Sequence, residues 1–307
     1  LEEATEVDVD CIADGKTAVI GSIMEHVERA GVHSGDSACI IPSATLSDAV
    51  LDTIRKHTYD LARELHVIGL MNVQYAVKDD IVYILEVNPR ASRTIPYVSK
   101  SIGVPLAKLA ALVMAGQTLE ELGFTEEATV RHCAMKEAVL PFVRFNGTDI
   151  VLSPEMKSTG EVMGIDIDPG MAYLKSQLAA GNPVPQSGNV LLSVRDHDKE
   201  AIVPLARDLV ELGFHIYATC GTASILWDND IKAQALFSIS KGRPNVLDLM
   251  LEEEVAWIIN TPSGRSEHED GVRMRADATV RGVPITTTVS AALAAVSGLK
   301  ALKRLNH

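Results

Sequence analysis

The apolar segments of this 307-residue chain change their rhythm about halfway along. In the first half, two stretches carry apolar runs on either side of a turn, at Asp14-Gly15 and at Asp79-Asp80. Each stretch, "TEVDVDCIADGKTAVIGSI" and "VIGLMNVQYAVKDDIVYILEVNP", is therefore predicted to be a β-hairpin. The strands of the second hairpin are nearly continuous in apolar residues, so we expect both of their faces to be covered.

Helices are predicted after each hairpin. "LSDAVLDTIRKHTYDLAREL" has helical spacing after Ser47, a residue suited to the N-cap, and a later helix begins near Pro105 and runs to Ala115-Gly116. Beyond a Gly- and Pro-richer region at 151–186, the apolar runs "NVLLSV", "FHIYAT", "QALFSI" and "AWIINT" alternate with helical segments, the last being "SAALAAVSGLKALKRL". Strands that alternate with helices predict a parallel sheet with helices on both faces.

Charge and cysteine content exclude several classes of partner and site. The net charge of -13 argues against nucleic-acid or anionic-membrane partners, which favour a basic surface. No apolar run in the sequence reaches the roughly 20 residues that span a bilayer. The four cysteines are scattered, which is typical of reduced thiols in the cytoplasm and not of a zinc site or disulfide framework. The acidic start lacks a signal-peptide pattern and a methionine, so we expect a fragment of a longer chain.

Polar side chains cluster where the second hairpin ends, in "ILEVNPRASRT" at 84–94. Glu86 and Asn88 are two residues apart on a strand, so their side chains share one face. Gln74 joins them only if it pairs with Glu86, which needs a three-residue loop or a bulge, because a two-residue turn pairs Gln74 with Leu85. Three oxygen donors with one carboxylate suit Mg²⁺ that is also bound to substrate phosphates.

Two arginines, Arg90 and Arg93, follow these candidate ligands. Fixed positive charge beside a metal site stabilises a phosphoryl group during its transfer. The plainer alternative is that Glu86, Asn88 and Arg90 cap the end of a strand and pair with one another. A polar cluster at the end of a buried hairpin is costly unless it is used, and this favours the metal site.

The stretches "MNVQYAV" and "VYILEVNPRASRTIPYVSK" closely resemble the ATP-grasp core of the carbamoyl phosphate synthetase large subunit, in its second, carbamate-phosphorylating half. "EVDVDCIADG", "GSIMEHVERAGVHSGDSAC", "GVPLAKLAALVMAG" and "STGEVMG" resemble successive segments of the same half, in the same order. The resemblance covers the whole chain. It implies an ATP-grasp lobe at 1–150, a connecting segment at 151–186 and a regulatory domain at 187–307.

The resemblance also assigns roles to residues of the first half. Gln74, Glu86 and Asn88 resemble ligands of Mg²⁺ or Mn²⁺, with Gln74 and Glu86 also contacting ATP, and Arg90 and Arg93 resemble catalytic arginines that face the phosphate. The segment against the adenine and ribose of ATP is "GVHS", which consists of Gly31, Val32, His33 and Ser34. Taken alone, His33 would be interpreted as a surface or capping histidine.

Four further residues are assigned by the resemblance to the site that receives the allosteric ligand ornithine in bacterial members of the family. They are Glu28, Asp36, Glu137 and Thr287. Without the resemblance, the three acids would be interpreted as solvated surface charges. That alternative stays open, because not every member of the family responds to ornithine.

A candidate anion site lies in the second half, in "FHIYATCGTASIL", where Thr219, Gly221 and Thr222 fall between a predicted strand and a predicted helix. Free backbone amides at a helix start, with the helix dipole and two hydroxyls, can bind phosphate. Simple N-capping by Thr219 or Thr222 is an equal alternative. A second polar strand end, "IINTPSGR" with Asn260 to Arg265, would face the same edge of a parallel sheet, where such folds bind ligands.

This half resembles the methylglyoxal-synthase-like (MGS-like) regulatory domain that closes the large subunit and, in bacterial relatives, binds nucleotide monophosphates. The positions that match the effector site are Lys199, Thr219, Gly221, Thr222 and Asn260. Two positions depart from the bacterial pattern, since Ser238 replaces a lysine and Pro262 replaces a threonine. Loss of a phosphate-facing lysine removes a charge-assisted contact of about 1.5–3 kcal/mol, which puts effector identity and binding in doubt.

Together these observations predict an α/β protein, with an α+β ATP-grasp lobe followed by a three-layer, parallel-sheet α/β domain. The resemblance implies ATP-dependent phosphorylation of carbamate to carbamoyl phosphate, for arginine and pyrimidine biosynthesis. It implies three partners: the rest of the large chain with its N-terminal ATP-grasp half, a glutaminase small subunit, and a nucleotide monophosphate effector. We expect weak or absent turnover by this chain alone, because the other lobe of the nucleotide clamp is missing. The alternative is a non-catalytic regulatory and assembly module that binds an effector and docks on a separate ATP-grasp chain.

Overall fold

The computed structural model describes residues 4–142, 150–252, 254–262 and 268–305. The chain divides into two compact units. The first comprises Leu1–Ala138 and Ser153–Ala172, and the second comprises Val139–Leu152 and Tyr173–His307. Each unit has its own sheet and its own buried side chains.

The first unit is built on a seven-stranded sheet. Its strands are β1 (Thr5–Asp14), β2 (Ala18–Arg29), β3 (Cys39–Ile41), β4 (Ile68–Lys78), β5 (Ile81–Asn88), β6 (Cys133–Val139) and β7 (Gly160–Asp166). Their order across the sheet is β5-β4-β1-β2-β3-β6-β7. β1 pairs antiparallel with β2, and β4 pairs antiparallel with β5, so both predicted hairpins are confirmed. β7 lies inside 151–186, the range predicted as a connecting segment.

The helices of this unit are α1 (Asp48–Glu64), α2 (Ile95–Ile102) and α3 (Leu106–Met114). Ser47 caps α1 as predicted, because its hydroxyl accepts the backbone N–H of Val50 at 3.4 Å. Pro105 occupies the cap position before α3 instead of the first helical position. α2 was not predicted from the sequence. It ends at Gly103, whose φ of 72° favours glycine.

Two apolar cores cover the two faces of the sheet. α1 packs on one face, where Val7 and Val9 of β1 point. α2 and α3 pack on the other, where Ile12 points. Because side chains alternate along a strand, Glu6, Asp8 and Asp10 share the face of Ile12. The sheet face that is apolar beneath α2 and α3 is therefore polar toward the start of β1.

β5 is an edge strand, and the expectation that both of its faces are covered was wrong. Ile81, Ile84 and Leu85 are each about half exposed. Val82 and Val87 are partly buried against the core under α1. A continuous apolar run indicates a preference for extended structure, whereas burial depends on neighbouring elements. Among the described strands, β5 pairs with β4 alone.

The second unit contains a five-stranded parallel sheet, as predicted. Its strands are β8 (Asn189–Ser193), β9 (His215–Thr219), β10 (Gln234–Leu236), β11 (Val255–Asn260) and β12 (Ile285–Thr286), in the order β10-β9-β8-β11-β12. The remaining helices are α4 (Pro169–Ala180), α5 (Lys199–Leu212), α6 (Cys220–Asp228), α7 (Val246–Leu251), α8 (His268–Arg281) and α9 (Val289–Leu305). α7 and α8 pack on the sheet face that carries Leu191 and Ile258.

All four cysteines are free thiols, as expected from their spacing. In the part of the chain that the structure describes, no single helix is long and apolar enough to cross a membrane. α2 and α3 together have the length and apolar composition of a membrane span, but the two helices meet at a bend of 112°.

Candidate functional site

The hairpin of β4 and β5 brings Gln74 and Glu86 directly opposite each other. The two-residue turn at Asp79-Asp80 pairs Lys78 with Ile81 and, further along, Tyr75 with Ile84. The next pair is Gln74 with Glu86, so Leu85 has no partner on β4 and forms a bulge. The bulge is one of the two arrangements that this pairing was predicted to require. Glu86 therefore shares the sheet face of Gln74.

The polar face continues across three neighbouring strands. Asn88 of β5 is opposite Asn72 of β4, which is opposite Asp10 of β1. Gln74 is likewise opposite Asp8. Acids and amides on β1, β4 and β5 thus form a continuous wall of a cavity of about 700 Å³.

Every residue that was predicted for ATP, metal or phosphate lines this one cavity. These residues are Gly31, Val32, His33, Ser34, Gln74, Glu86, Asn88, Arg90 and Arg93. They come from three separate parts of the sequence, and their roles remain predictions. A cavity of this volume lies within the range that ordinary small-molecule ligands occupy.

The donor set of Gln74, Glu86 and Asn88 fits a magnesium or manganese ion. Gln74 donates its amide N–H to the hydroxyl of Ser34 at 3.1 Å, which leaves the amide oxygen available as a ligand. One carboxylate and two amide oxygens are hard ligands of the kind that Mg²⁺ takes together with water and substrate phosphates.

Asp10 holds the loop that carries the two arginines. It accepts hydrogen bonds from the hydroxyls of Ser92 at 2.7 Å and Thr94 at 2.5 Å, and from the Asn72 amide at 3.0 Å. Burial raises the pKa of Asp10 to about 6, against the lowering effect of these donors. The loop is thereby anchored to β1 beneath the cavity.

The two arginines are exposed at the cavity. The guanidinium of Arg90 donates to the carbonyl of Ala91 at 3.1 Å, and the backbone N–H of Arg90 donates to the carbonyl of Asn88 at 2.7 Å. Arg90 thus closes the strand end through its backbone, and no hydrogen bond or ion pair between the side chains of Glu86, Asn88 and Arg90 is observed among the described residues. Arg93 contacts the sulfur of Met156 across the cavity wall.

The segment "GVHS" is held by hydrogen bonds at several points. The N–H of Gly31, whose φ of 108° favours glycine, donates to Glu6 at 3.1 Å. His33 accepts the N–H of Gly35 at 3.0 Å, so it caps its own turn while it also lines the cavity. The buried ammonium of Lys136 donates to the carbonyl of Ser34 at 3.1 Å.

Sequence reasoning missed several residues of this cavity. They are Glu6, Asp8, Asn72, Lys136 and Glu161. The acids in "EVDVD" alternate with valines and so share one face of a strand, which was a usable signal. Lys136 and Glu161 reach the cavity through strand pairing over long sequence distances, and the sequence offers no local signal for that.

The acids predicted for ornithine are not solvated surface charges. Asp36 is buried and accepts the N–H groups of Lys157 at 2.6 Å and Ser158 at 2.9 Å. Glu28 is partly buried and accepts hydrogen bonds from the Ser37 hydroxyl at 2.7 Å and the Ala38 N–H at 2.6 Å, the two residues that follow Asp36.

The remaining two candidates for this site lie in different units. Glu137 is buried on β6 of the first unit. Thr287 is half-buried just after β12 of the second unit. A role in binding ornithine remains a prediction for all four residues.

The second unit has a cavity of about 310 Å³ at the carboxyl ends of its strands. It is lined by all five predicted effector residues, Lys199, Thr219, Gly221, Thr222 and Asn260, and by the two departures, Ser238 and Pro262. Positions 263–265 of "IINTPSGR" lie outside the described residues. Because Thr219 at the end of β9 and Asn260 at the end of β11 line the same cavity, the two polar strand ends share one edge of the sheet, as expected for a parallel fold.

Thr219 precedes α6, but its side chain makes no capping hydrogen bond to the helix. Its hydroxyl lies 3.4 Å from the hydroxyl of Thr222, which accepts the N–H of Val194 at 3.3 Å. Plain N-capping by Thr219 is thus not observed in the described residues.

Arg275 of α8 is a further, unpredicted residue of this cavity. Its buried guanidinium donates to the amide oxygen of Asn260 at 2.6 Å, and Asn260 donates to the carbonyl of Ser193 at 2.8 Å. Lys199 forms an ion pair with Asp196 at 2.6 Å. Lys241 also lines the cavity, which therefore has three cationic residues, of which the sequence had indicated only Lys199.

Family models match both halves of the chain. The model described as "Carbamoyl-phosphate synthase L chain, ATP binding domain" matches residues 1–122, and the model described as "MGS-like domain" matches residues 201–287. With an antiparallel lobe that carries the polar cavity and a parallel-sheet domain that follows it in the sequence, the chain is an ATP-grasp protein with an added MGS-like domain.

Curated relatives match along almost the whole chain. The carbamoyl phosphate synthase large chain of Archaeoglobus fulgidus is 53% identical over 99% of this chain and 28% of its own length. That of Synechocystis sp. is 54% identical over 99% of this chain and 28% of its own length. The large chain's C-terminal section from Methanocaldococcus jannaschii is 52% identical over 99% of this chain and 51% of its own length.

The chain belongs to the carbamoyl phosphate synthase large-chain family and matches the C-terminal part of that protein. It spans between about a quarter and a half of the length of these relatives. Among solved structures, the biotin carboxylase domain of a single-chain bacterial carboxylase aligns over 58% of this chain and 47% of that chain, with a TM-score of 0.49 and 16% identity, which is too little similarity to bear on function.

Proposed function

We propose that the first unit is part of the site at which a carbamoyl phosphate synthase large chain phosphorylates carbamate with ATP. The observation that carries this proposal is the convergence of one acid, two amides and two arginines on a single cavity, beside the segment "GVHS". In the reaction, a carbamate oxygen forms a bond to the γ-phosphorus of ATP as the bond from that phosphorus to ADP breaks. The products are carbamoyl phosphate and ADP.

Each group of residues has a distinct part in this proposal. Gln74, Glu86 and Asn88 hold Mg²⁺ or Mn²⁺, which when bound neutralises charge on the phosphates of the nucleotide. Arg90 and Arg93 stabilise the negative charge of the phosphoryl group during transfer. The segment 31–34 contacts the adenine and ribose.

We further propose the setting in which these residues act. The ATP-grasp lobe takes 1–150, a connecting segment takes 151–186, and the MGS-like domain takes 187–307. The partners are the remaining part of the large chain and a glutaminase small subunit, in the cytoplasm, and the product serves arginine and pyrimidine synthesis. The resemblance of the chain to only part of its relatives supports weak or absent turnover in isolation.

For the second unit we propose a nucleotide monophosphate effector. The phosphate is bound at the start of α6 by backbone amides and by the hydroxyls of Thr219 and Thr222, with positive charge from Lys199. Lys241 and Arg275 supply further positive charge in a cavity where Ser238 supplies none. Ornithine binding at Glu28, Asp36, Glu137 and Thr287 stays a separate proposal.

Isothermal calorimetry of this chain tests the first proposal. MgATP should bind, and Glu86→Ala should abolish that binding, while Glu120→Ala, which removes an exposed acid elsewhere in the unit, should leave it unchanged. Adding the remaining part of the large chain should then restore ADP release in the presence of carbamate. Equal binding by the two variants would refute the metal assignment.

Isothermal calorimetry also distinguishes the enzyme from the alternative, a non-catalytic regulatory module. A chain that binds uridine or inosine monophosphate but never MgATP, even with the remaining part of the large chain present, would be a non-catalytic regulatory module. Loss of monophosphate binding in Thr222→Ala would assign that binding to the second unit.

A further inference from the structure

Lys136 on β6 is a buried cation that makes one hydrogen bond among the described residues. Its side chain is fully buried, and its ammonium donates to the backbone carbonyl of Ser34 at 3.1 Å. No carboxylate in the described part of the chain forms an ion pair with this ammonium. Burying a charge that is not directly paired costs free energy, so the contact with Ser34 calls for a functional explanation.

The ammonium of Lys136 stays protonated in spite of its burial. Burial alone would lower the pKa of Lys136, but the nearby Cys39 and the acids Glu161 and Asp8 raise that pKa above its ordinary value. A hydrogen bond from a charged donor is roughly twice as strong as one from a neutral donor. The carbonyl of Ser34 is therefore held firmly by a side chain of the sheet.

Ser34 also contacts a second strand through its side chain. Its hydroxyl accepts the amide N–H of Gln74 on β4 at 3.1 Å. In the sheet, β1, β2 and β3 separate β4 from β6, so Gln74 and Lys136 are on strands that do not pair with each other. Ser34 connects these two residues, since Lys136 binds its carbonyl and Gln74 binds its hydroxyl.

The orientation of the Gln74 amide decides whether Gln74 can bind a metal ion. An amide side chain has one oxygen and one NH₂ group, and only the oxygen is a ligand for a hard cation. Because its N–H is bound to Ser34, Gln74 keeps its oxygen available beside Glu86, the residue opposite it. Loss of a partner that orients a metal ligand typically lowers metal affinity by about 10–100-fold.

We propose that Lys136 is a positioning residue of the metal site: it fixes Ser34, and Ser34 holds the Gln74 amide in the orientation that offers its oxygen to the ion. These three residues form a relay from β6 to β4. The inference rests on the proposed metal binding by Gln74 and its neighbours on β5. It adds to that site a residue that touches neither the metal nor the nucleotide.

Calorimetry with ADP, once with Mn²⁺ and once with EDTA, measures how much the metal increases nucleotide affinity. Lys136→Met removes the ammonium and keeps most of the side-chain volume. The increase should fall about tenfold or more, while the affinity in EDTA stays close to that of wild type. Lys108→Met removes an exposed lysine from the same unit and should keep the wild-type increase. Equal loss with and without metal, in a variant that circular dichroism shows to be folded, would overturn the proposal.

Ser34→Ala interrupts the relay without removing a buried charge. The increase in affinity with Mn²⁺ should fall about as far as in Lys136→Met, and Ser34→Thr, which keeps a hydroxyl, should restore most of it. The double variant Lys136→Met with Ser34→Ala should lose no more than either single variant, because both substitutions break the same connection. Losses that multiply in the double variant would show that Lys136 acts independently of Ser34 and would refute the relay.

Failure of the proposed function gives a different result from failure of this inference. If Mn²⁺ does not increase the ADP affinity of the wild-type chain, or if the increase survives Glu86→Ala, the metal assignment fails and the inference fails with it. If the increase is lost in Glu86→Ala but kept in Ser34→Ala, the metal site stands and the relay is refuted.

Discussion

Gln74 lies directly opposite Glu86 across β4 and β5, although the turn at Asp79-Asp80 alone would place it opposite Leu85. The bulge at Leu85 makes the difference, and it changes more than one pair. Without it, Glu86 and Asn88 would point to the face that packs on α1, because a one-residue slip moves every side chain to the other side of a strand. The bulge therefore presents both candidate ligands to the cavity.

Deletion of Leu85 should preserve the site, whereas deletion of Val87 should destroy it. Removing Leu85 restores a regular hairpin in which Glu86 still faces Gln74. Removing Val87 keeps that pair but turns Asn88 to the apolar face. We expect MgATP affinity within a few-fold of wild type for the first deletion and no measurable binding for the second. Calorimetry on both, with circular dichroism to verify folding, decides the matter; a folded Leu85 deletion that cannot bind MgATP would contradict the assignment.

Asp10 should make the stability of the first unit depend on pH in a defined direction. Its folded pKa is about 6 against an ordinary value of 3.8, so the folded chain holds a proton that the unfolded chain has released between these values. Stability therefore falls as pH rises from about 4 to about 6 and is level above that. Asp10→Asn should remove this fall, which amounts to about 2–3 kcal/mol.

Urea unfolding of the first unit at several pH values between 4 and 7 measures this effect. Asp80→Asn removes an exposed acid from the hairpin turn and should follow the wild-type curve. A variant curve for Asp10→Asn that parallels wild type would show that Asp10 does not carry the shifted proton.

Ser238→Lys should strengthen anion binding in the second unit. The side chain lines the effector cavity, and a lysine there adds a charge-assisted contact worth about 1.5–3 kcal/mol, or roughly tenfold or more in affinity. Titration with uridine monophosphate in low salt measures the gain. Asn182→Lys places the same charge on an exposed site outside the cavity and should change the affinity little.

Thr219→Val distinguishes binding from capping at the start of α6. A true N-cap costs about 0.5–2 kcal/mol of stability when it is replaced, but the Thr219 side chain makes no such bond. We expect the free energy of unfolding to change by less than about 0.5 kcal/mol and the affinity for a monophosphate to fall by about three- to tenfold. The opposite result, a large loss of stability with unchanged affinity, would restore the capping interpretation.

Local patterns predicted the hairpins, α1 and the parallel sheet because each depends on short-range spacing. The pairing of Gln74 with Glu86 could be stated only as a condition, since turn length and strand pattern together do not reveal a bulge. α2 was missed because "IPYVSKSI" combines a proline with β-branched residues and gives a weak helical signal. The exposure of β5 was missed because strand order is a property of the whole sheet.

The site was predictable to the extent that its residues fall in recognisable stretches. Glu6 and Asp8 were visible as alternating acids, but their relation to Gln74 depends on the pairing of β1 with β4, more than 60 residues apart. Arg275 reaches Asn260 from a helix that carries no local pattern of an anion site. Long-range pairing thus decided most of what sequence reasoning missed.

β1 reconciles two incompatible demands by assigning them to alternate residues. Val7 and Val9 must be apolar to fill the core under α1, whereas Glu6, Asp8 and Asp10, which alternate with them, must be charged or polar. Substitutions sampled along this strand should accordingly be tolerated in a strict two-step rhythm, with aliphatic exchanges accepted at one parity and acid or amide exchanges at the other. A strand so divided has almost no neutral positions, and it would evolve more slowly than the exposed helix surfaces around it.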